Sequence, residues 1–266
     1  MKRIVILVMG ILLCGCAVSQ QQEVQMGQEY SAQIAQQLPL ISDPEVVRYI
    51  NVLGDSVAHV TSRSDLDWHF YVVNSSEVNA FAVPGGYVYV NRGLIERATS
   101  MDELAGVLGH EIGHVVRRHT VKQMQQQQGA NIGITLACVL TQVCANQASS
   151  TAINVGATAL FAKFSRGDEA QADEEGFKNV VRAGISPEGL VTMFQKLIDE
   201  RNARPGAVDA WFATHPLEED RIADVQRLIN TLTPAQLASL TKDSKNFHTF
   251  KSRLATLPPP PVARGQ

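Results

Sequence analysis

His110-Glu111-Ile112-Gly113-His114, with the run Ser100-Met101-Asp102-Glu103-Leu104-Ala105-Gly106-Val107-Leu108-Gly109 before it, reads as one continuous helix. Two histidines four apart stand one above the other on a helix, close enough to grip a single metal ion, and this spacing is typical of zinc. The glutamate between them is then placed to take a proton from a water on that metal. Ser100 to Glu103 has the form of a capping box, which starts the helix. His110, His114, Val107 and Glu111 fall on adjoining directions, while Gly106, Gly109 and Gly113 occupy the other side. Three glycines cost a helix about 2–3 kcal/mol against alanine. Another backbone is therefore expected to approach closely there, and tight packing without a catalytic role suffices to explain them.

A catalytic zinc takes three protein ligands and keeps a fourth position for water. His110 and His114 supply two, so a third is sought on another helix. Glu169-Ala170-Gln171-Ala172-Asp173 fits: Glu169 could ligate, and Asp173, one turn later, could accept the ring N–H of a ligating histidine. An ordinary acidic helix start explains the same residues, because Asp168, Glu174 and Glu175 lie beside them. Spacing alone leaves both readings open.

Working outward, Asp43-Pro44 opens a helix with Val46, Ile50, Leu53 and Val57 on one side. Trp68 to Val73 and Val78 to Val83 read as strands; Pro84-Gly85-Gly86 turns the chain into a third, Tyr87 to Val90. Gly129 to Phe164 suggests two helices broken near Asn146 to Ser150. Further helices are expected near Asp168, Ser186-Pro187, Pro216 and Thr233-Pro234. The expected division is a leader at 1–15, a polar tether at 16–29, one domain at 30–255 and a proline-rich extended or disordered tail at 256–266.

The leader reading rests on Lys2 and Arg3 followed by the apolar run Ile4 to Leu13, too short to span a bilayer comfortably. Leu13-Cys14-Gly15-Cys16 resembles a bacterial lipobox, with Cys16 as the acylated residue because small Gly15 precedes it. This implies a bacterial envelope protein, lipid-anchored on the periplasmic side; Ala17 is compatible with sorting to the outer membrane. Without Lys2 and Arg3, 21 basic residues face 26 acidic ones, which gives no support to nucleic-acid binding. Cys138 and Cys144 form a disulfide only if a turn separates them, since on one helix they point to different faces. His59, His69, His119 and His248 have no partner at ligand spacing and read as surface or core residues.

His110 to His114 followed by Ser165-Arg166-Gly167-Asp168-Glu169-Ala170-Gln171-Ala172-Asp173 resembles the zinc metallopeptidase family of the CAAX prenyl endopeptidases, HtpX and BepA. Val78-Asn79-Ala80-Phe81 with Pro84-Gly85-Gly86, and Thr214-His215-Pro216 with Arg221, agree with it and stand in family order. The resemblance runs from about Asp43 to about Leu232. It implies one zinc ion on His110, His114 and Glu169, Glu111 as general base, and Asp173 behind a ligand. The implied fold class is α+β, mainly helical: a thermolysin-like (gluzincin) core with a small three-stranded antiparallel sheet. His215 is the first candidate for a donor to the oxyanion, and Arg221 the second. His215 could instead reach the metal and hold the enzyme latent, or simply start a helix before Pro216.

Asn79, Ala80 and Phe81 are expected on an edge strand to which substrate adds as a further strand, so substrates must be extended. Unfolded or misassembled envelope proteins fit that demand, and the outer-membrane assembly machinery is the partner the resemblance suggests. The chain lacks the membrane spans of HtpX and the prenyl endopeptidases, so a prenylated substrate is not expected. A competing reading is a chaperone that holds outer-membrane proteins and cuts rarely; the intact Glu111 argues against it.

Overall fold

A computed structural model describes residues 18–127, 163–216 and 219–261. Cys16, Cys138, Cys144 and the expected break near Asn146 lie outside the described residues. Helix α1 spans Gln20–Gln37 and α2 spans Pro44–Ala58. Asp43 caps α2, its carboxylate accepting from the N–H groups of Glu45 and Val46, and Pro44 takes the first helical position. Three strands follow, β1 (His69–Val73), β2 (Ala80–Val83) and β3 (Tyr87–Asn91), then α3 (Arg92–Arg97), α4 (Met101–Val116) and α5 (His119–Gln127). The remaining helices are α6 (Arg166–Arg182), α7 (Glu188–Ala203), α8 (Asp209–Thr214), α9 (Glu219–Ile229), α10 (Pro234–Ala238) and α11 (Lys245–Thr256). Among the described residues no helix is long and apolar enough to cross a membrane.

The sheet is mixed, which corrects the antiparallel expectation. Its order is β1-β3-β2: β2 and β3 form the expected antiparallel hairpin, but β1 lies parallel to β3 on the far side. The turn Pro84-Gly85-Gly86 works because both glycines adopt positive φ, 83° and 101°. After β1 the chain must cross the end of β3 to reach the start of β2. It does so over Gly93, where a Cβ would stand 2.2 Å from the Ser76 carbonyl oxygen. A glycine just beyond β3 thus makes room for the crossing, and the crossing makes the sheet mixed.

Helix α4 is buried from Met101 to Val115, so it is a central helix rather than a surface one. It packs on α6, α7, α2 and β2. The glycines sit where another backbone comes close, as the sequence suggested: Gly106 against Leu190 of α7, Gly109 against Gly176 of α6, and Gly113 against Ala172 of α6. The start of α4 departs from the expected capping box. Ser100 donates to Asp102 instead, and Glu103 accepts from the Thr99 N–H and pairs with Lys196. The free N–H groups of Met101 and Asp102 go to the Asp243 carboxylate and the Lys242 carbonyl. Tertiary contacts thus take over the role of the local cap.

Residues 20–29, expected as a polar tether, are the first half of α1. Ser19 and Gln22 close a reciprocal cap at its start. Ile34 joins Val83, Tyr87 and Tyr89 of the sheet and Met124 of α5 in a second apolar cluster. Glu23 is fully buried, with Oε1 2.8 Å from Arg63 Nη1 and Oε2 2.8 Å from Arg118 Nε. Arg118 is the one described non-glycine residue with positive φ, 58°, and it turns the chain between α4 and α5. Leu257 leaves α11 with an extended backbone, and the residue after it is held: Arg92 Nη1 donates to the Pro258 carbonyl at 2.8 Å.

Replacing Glu23 with alanine leaves two arginines without their carboxylate. Arg118 is about a third exposed, so water recovers part of the loss. The expected cost is about 2–3 kcal/mol of stability, below the range for a fully buried pair. Urea unfolding reads it, and a change under about 0.5 kcal/mol, typical of a neutral surface site, contradicts the clamp.

Candidate active site

The crossing of α4 and α6 brings the predicted polar residues into one buried volume. His110 and His114 come from α4, Glu169 from α6, and His215 from the segment after α8. One ligand atom from each of these four lies within 4.8 Å of those from the other three. His114 Nε2 is 3.1 Å from His110 Nε2 and 3.4 Å from Glu169 Oε1. His215 Nδ1 is 3.3 Å from His110 Nε2 and 3.1 Å from Glu169 Oε1.

Asp173, one turn after Glu169, accepts from His110 Nδ1 at 2.8 Å. That bond puts the proton on Nδ1 and leaves Nε2 bare toward the cluster. Arg221 lies behind, buried, with Nε and Nη2 each 2.7 Å from the Asp173 carboxylate and Nη1 paired with Glu169. It also donates to the Pro216 carbonyl and stacks over Phe194. The donors of Arg221, the second candidate for the oxyanion, are thus engaged by Asp173, Glu169 and Pro216.

The charges reinforce one another. Burial pushes the Glu111 carboxyl above the usual carboxylate range, with His215 and His110 opposing. Burial would also raise Glu169, but His215 and the neighbouring His114 and His110 rings hold it well below its ordinary value. Asp173 is likewise held low against burial by Arg221 and His110. Burial lowers His114 strongly, favouring its neutral, ligating form. Burial would lower His215 too, yet Glu169 and Glu111 raise it.

These residues fit a zinc ion. Three imidazoles and a carboxylate are a borderline-soft set of the kind zinc takes. His110 Nε2, His114 Nε2 and His215 Nδ1 converge on Glu169, and Glu111 Oε1 accepts no hydrogen bond, with His215 Nε2 3.5 Å away. The helix-borne histidine pair, its intervening glutamate and an acidic ligand from a second helix define the class: a zinc peptidase centre. The model of Peptidase family M48 matches residues 44–229, and the chain belongs to that family.

Relatives agree. The chain is 33% identical over 249 residues to the beta-barrel assembly-enhancing protease of Escherichia coli (strain K12), covering 90% of this chain and 49% of the relative. It is 28% identical over 185 residues to the metalloprotease LoiP of the same strain, covering 70% of this chain and 71% of LoiP. Metalloprotease YcaL, also of that strain, is 32% identical over 159 residues, 59% of this chain and 61% of YcaL. The chain spans about half the length of the beta-barrel assembly-enhancing proteases it matches.

Asn79, Ala80 and Phe81 run into β2, which among the described residues has a strand neighbour on one side only. All three are buried, and Asn79 Oδ1 has no hydrogen-bond partner. Two residues were not foreseen. His119, read as an unpartnered core or surface histidine, places Nδ1 3.0 Å from His114 Nδ1. Phe164 stacks on the His114 ring at 3.9 Å, and its N–H donates to the Thr214 carbonyl beside His215. Trp211, at the other side, stacks on His215 at 4.6 Å.

Changing Arg221 to methionine leaves two buried carboxylates without their cation and should cost about 3–5 kcal/mol in urea unfolding; a loss under about 1 kcal/mol contradicts the clamp. Asp173→Asn gives a second check. A carboxyl whose folded pKa is depressed stabilises above its unfolded value, near about 3.9, and loses that contribution as pH falls through the folded value. The stability gap between parent and Asp173→Asn should therefore be constant near neutrality and shrink in acid below about pH 4. A gap that widens in acid would contradict this sign.

Proposed function

We propose that this chain is a zinc-dependent endopeptidase of the bacterial envelope, cleaving unfolded or misassembled proteins, and that His215 holds it in a latent state. The observation that carries the reading is the buried set His110, His114, Glu169 and His215 beside Glu111. A zinc ion there supplies Lewis acidity, which makes water nucleophilic near neutral pH and polarises a peptide carbonyl. Glu111 takes the proton of the attacking water and delivers it to the leaving nitrogen. Its raised pKa suits both halves of that transfer. Asp173 fixes the His110 tautomer, and Arg221 holds Asp173 and Glu169 in place.

His215 has two candidate roles, and its position favours the latch. Its Nδ1 lies beside His110 Nε2 and Glu169 Oε1, so with zinc bound it would compete with water or substrate for the open position. Swung outward, the same ring would be free to donate to the oxyanion. Substrate would then add as a strand beside Asn79, Ala80 and Phe81, its backbone pairing with β2. Their burial in this conformation means that the cleft must open first.

The family match and the similarity to an E. coli protease whose name speaks of β-barrel assembly support an envelope role. Acylation of Cys16 would tether the protein to a membrane from the periplasmic side, with α1 beginning four residues later. On this reading the outer-membrane assembly machinery is the partner, and stalled barrel proteins are the substrates.

Zinc-loaded protein incubated with unfolded casein tests the activity. Glu111→Gln should retain zinc and lose about 10²–10⁴-fold in turnover, the usual weight of a general base. Unchanged cleavage by that variant would refute the mechanism. His215→Ala should raise turnover; a fall would assign His215 to the oxyanion instead of the latch.

A further inference from the structure

Behind His114 the buried ring of His119 has two neighbours on α6 that favour one placement of its hydrogen. Nε2 is 3.2 Å from Gln171 Oε1 and 3.5 Å from Asp168 Oδ1. Hydrogen on Nε2 of His119 serves both neighbours, bonding to Gln171 Oε1 and facing the charge of the Asp168 carboxylate. A neutral ring protonated there has a bare Nδ1, and that atom is 3.0 Å from His114 Nδ1. His114 must then be the donor in this contact. Its own proton sits on Nδ1, and its bare Nε2 faces His110 Nε2 and Glu169 Oε1.

We infer that His119 is a positioning residue for the metal centre: by accepting the Nδ1–H of His114, it fixes the tautomer and ring orientation that let His114 Nε2 ligate. This rests on the reading of His110, His114 and Glu169 as the ligand set. The two α4 histidines are thereby held differently. His110 donates to a carboxylate, Asp173, whereas His114 donates to a neutral ring. A neutral acceptor adds no negative charge, leaving the metal a stronger Lewis acid than two carboxylate acceptors would.

The sequence builds this contact by breaking a helix. Five residues along an unbroken helix turn the side chain about 140° beyond a full turn, so position 119 would point away from 114. Here α4 ends at Val116, Arg118 adopts φ 58°, and α5 restarts at His119. The turn carries the ring back over His114. Arg118 is held by Glu23 at 2.8 Å and by the Val18 carbonyl at 2.5 Å. Gln171 and Asp168 belong to α6, the helix of Glu169, so the hydrogen-bond chain ties two ligand-bearing helices together.

The test compares zinc affinity, by competition with a chelator, in the parent, His119→Asn and His119→Leu. Asparagine keeps an acceptor near the place of Nδ1, and leucine keeps bulk without one. Leucine should weaken zinc about 10–100-fold, and asparagine should restore most of it. Parent-like affinity in the leucine variant overturns the inference, as does an asparagine variant no better than leucine. Long-range ¹H–¹⁵N NMR of the zinc-loaded parent needs no variant: His114 should appear as the Nδ1–H tautomer and His119 as the Nε2–H tautomer. A His119 ring protonated on Nδ1 alone overturns it. His114→Ala is the separate control, because unchanged zinc affinity there would refute the ligand set itself and the inference with it.

Discussion

Burying a charged cluster is the constraint on which the rest of this structure depends. His110, His114, Glu111, Glu169 and His215 are each exposed by 2% or less. An unpaired charge or unbonded polar group at such depth costs up to several kcal/mol, so the carboxylates and rings need answering groups. The fold answers in layers. Glycines let α4 and α6 approach until their ligand atoms share one volume. Asp173 and Arg221 back the cluster on one side, His119 and Gln171 on another, and Trp211 and Phe164 close it with aromatic faces. A zinc ion at the centre would supply positive charge to the buried Glu169 and Glu111 carboxyl groups.

The outer elements are tied to that centre. Helix α1 covers the sheet face opposite α4 and reaches the α4–α5 turn through Glu23 and Arg118. Arg118 carries backbone strain of about 1–3 kcal/mol, and its ion pair with a buried carboxylate is what holds it there.

Much of the site was legible because its signals are local. The spacing of His110 and His114 needs only a helix, and Glu169 with Asp173 needs only one turn of another. The glycines of α4 announced a close neighbour by their cost alone. Other features depend on distant partners. The mixed sheet follows from a crossing over Gly93 that no strand pattern reveals. Helix α1 hid behind its composition: two of its buried positions are Glu23 and Gly27, so no apolar stripe marks it. The expected cap at Ser100 lost to Asp243 and Lys242, residues far along the chain. His119 could be paired with His114 only once the helix break was known, and the adjacent Arg117-Arg118 gave only a weak hint of that break.

A zinc ion held by this cluster would sit among three imidazoles and one carboxylate on α4, α6 and the segment after α8. Zinc-edge X-ray absorption of the purified protein tests it most directly. The account predicts one zinc per chain, nitrogen and oxygen neighbours at about 2.0–2.1 Å, and the multiple-scattering signature of three histidine rings. A sulfur neighbour at about 2.3 Å, or a zinc without imidazole ligands, would contradict it.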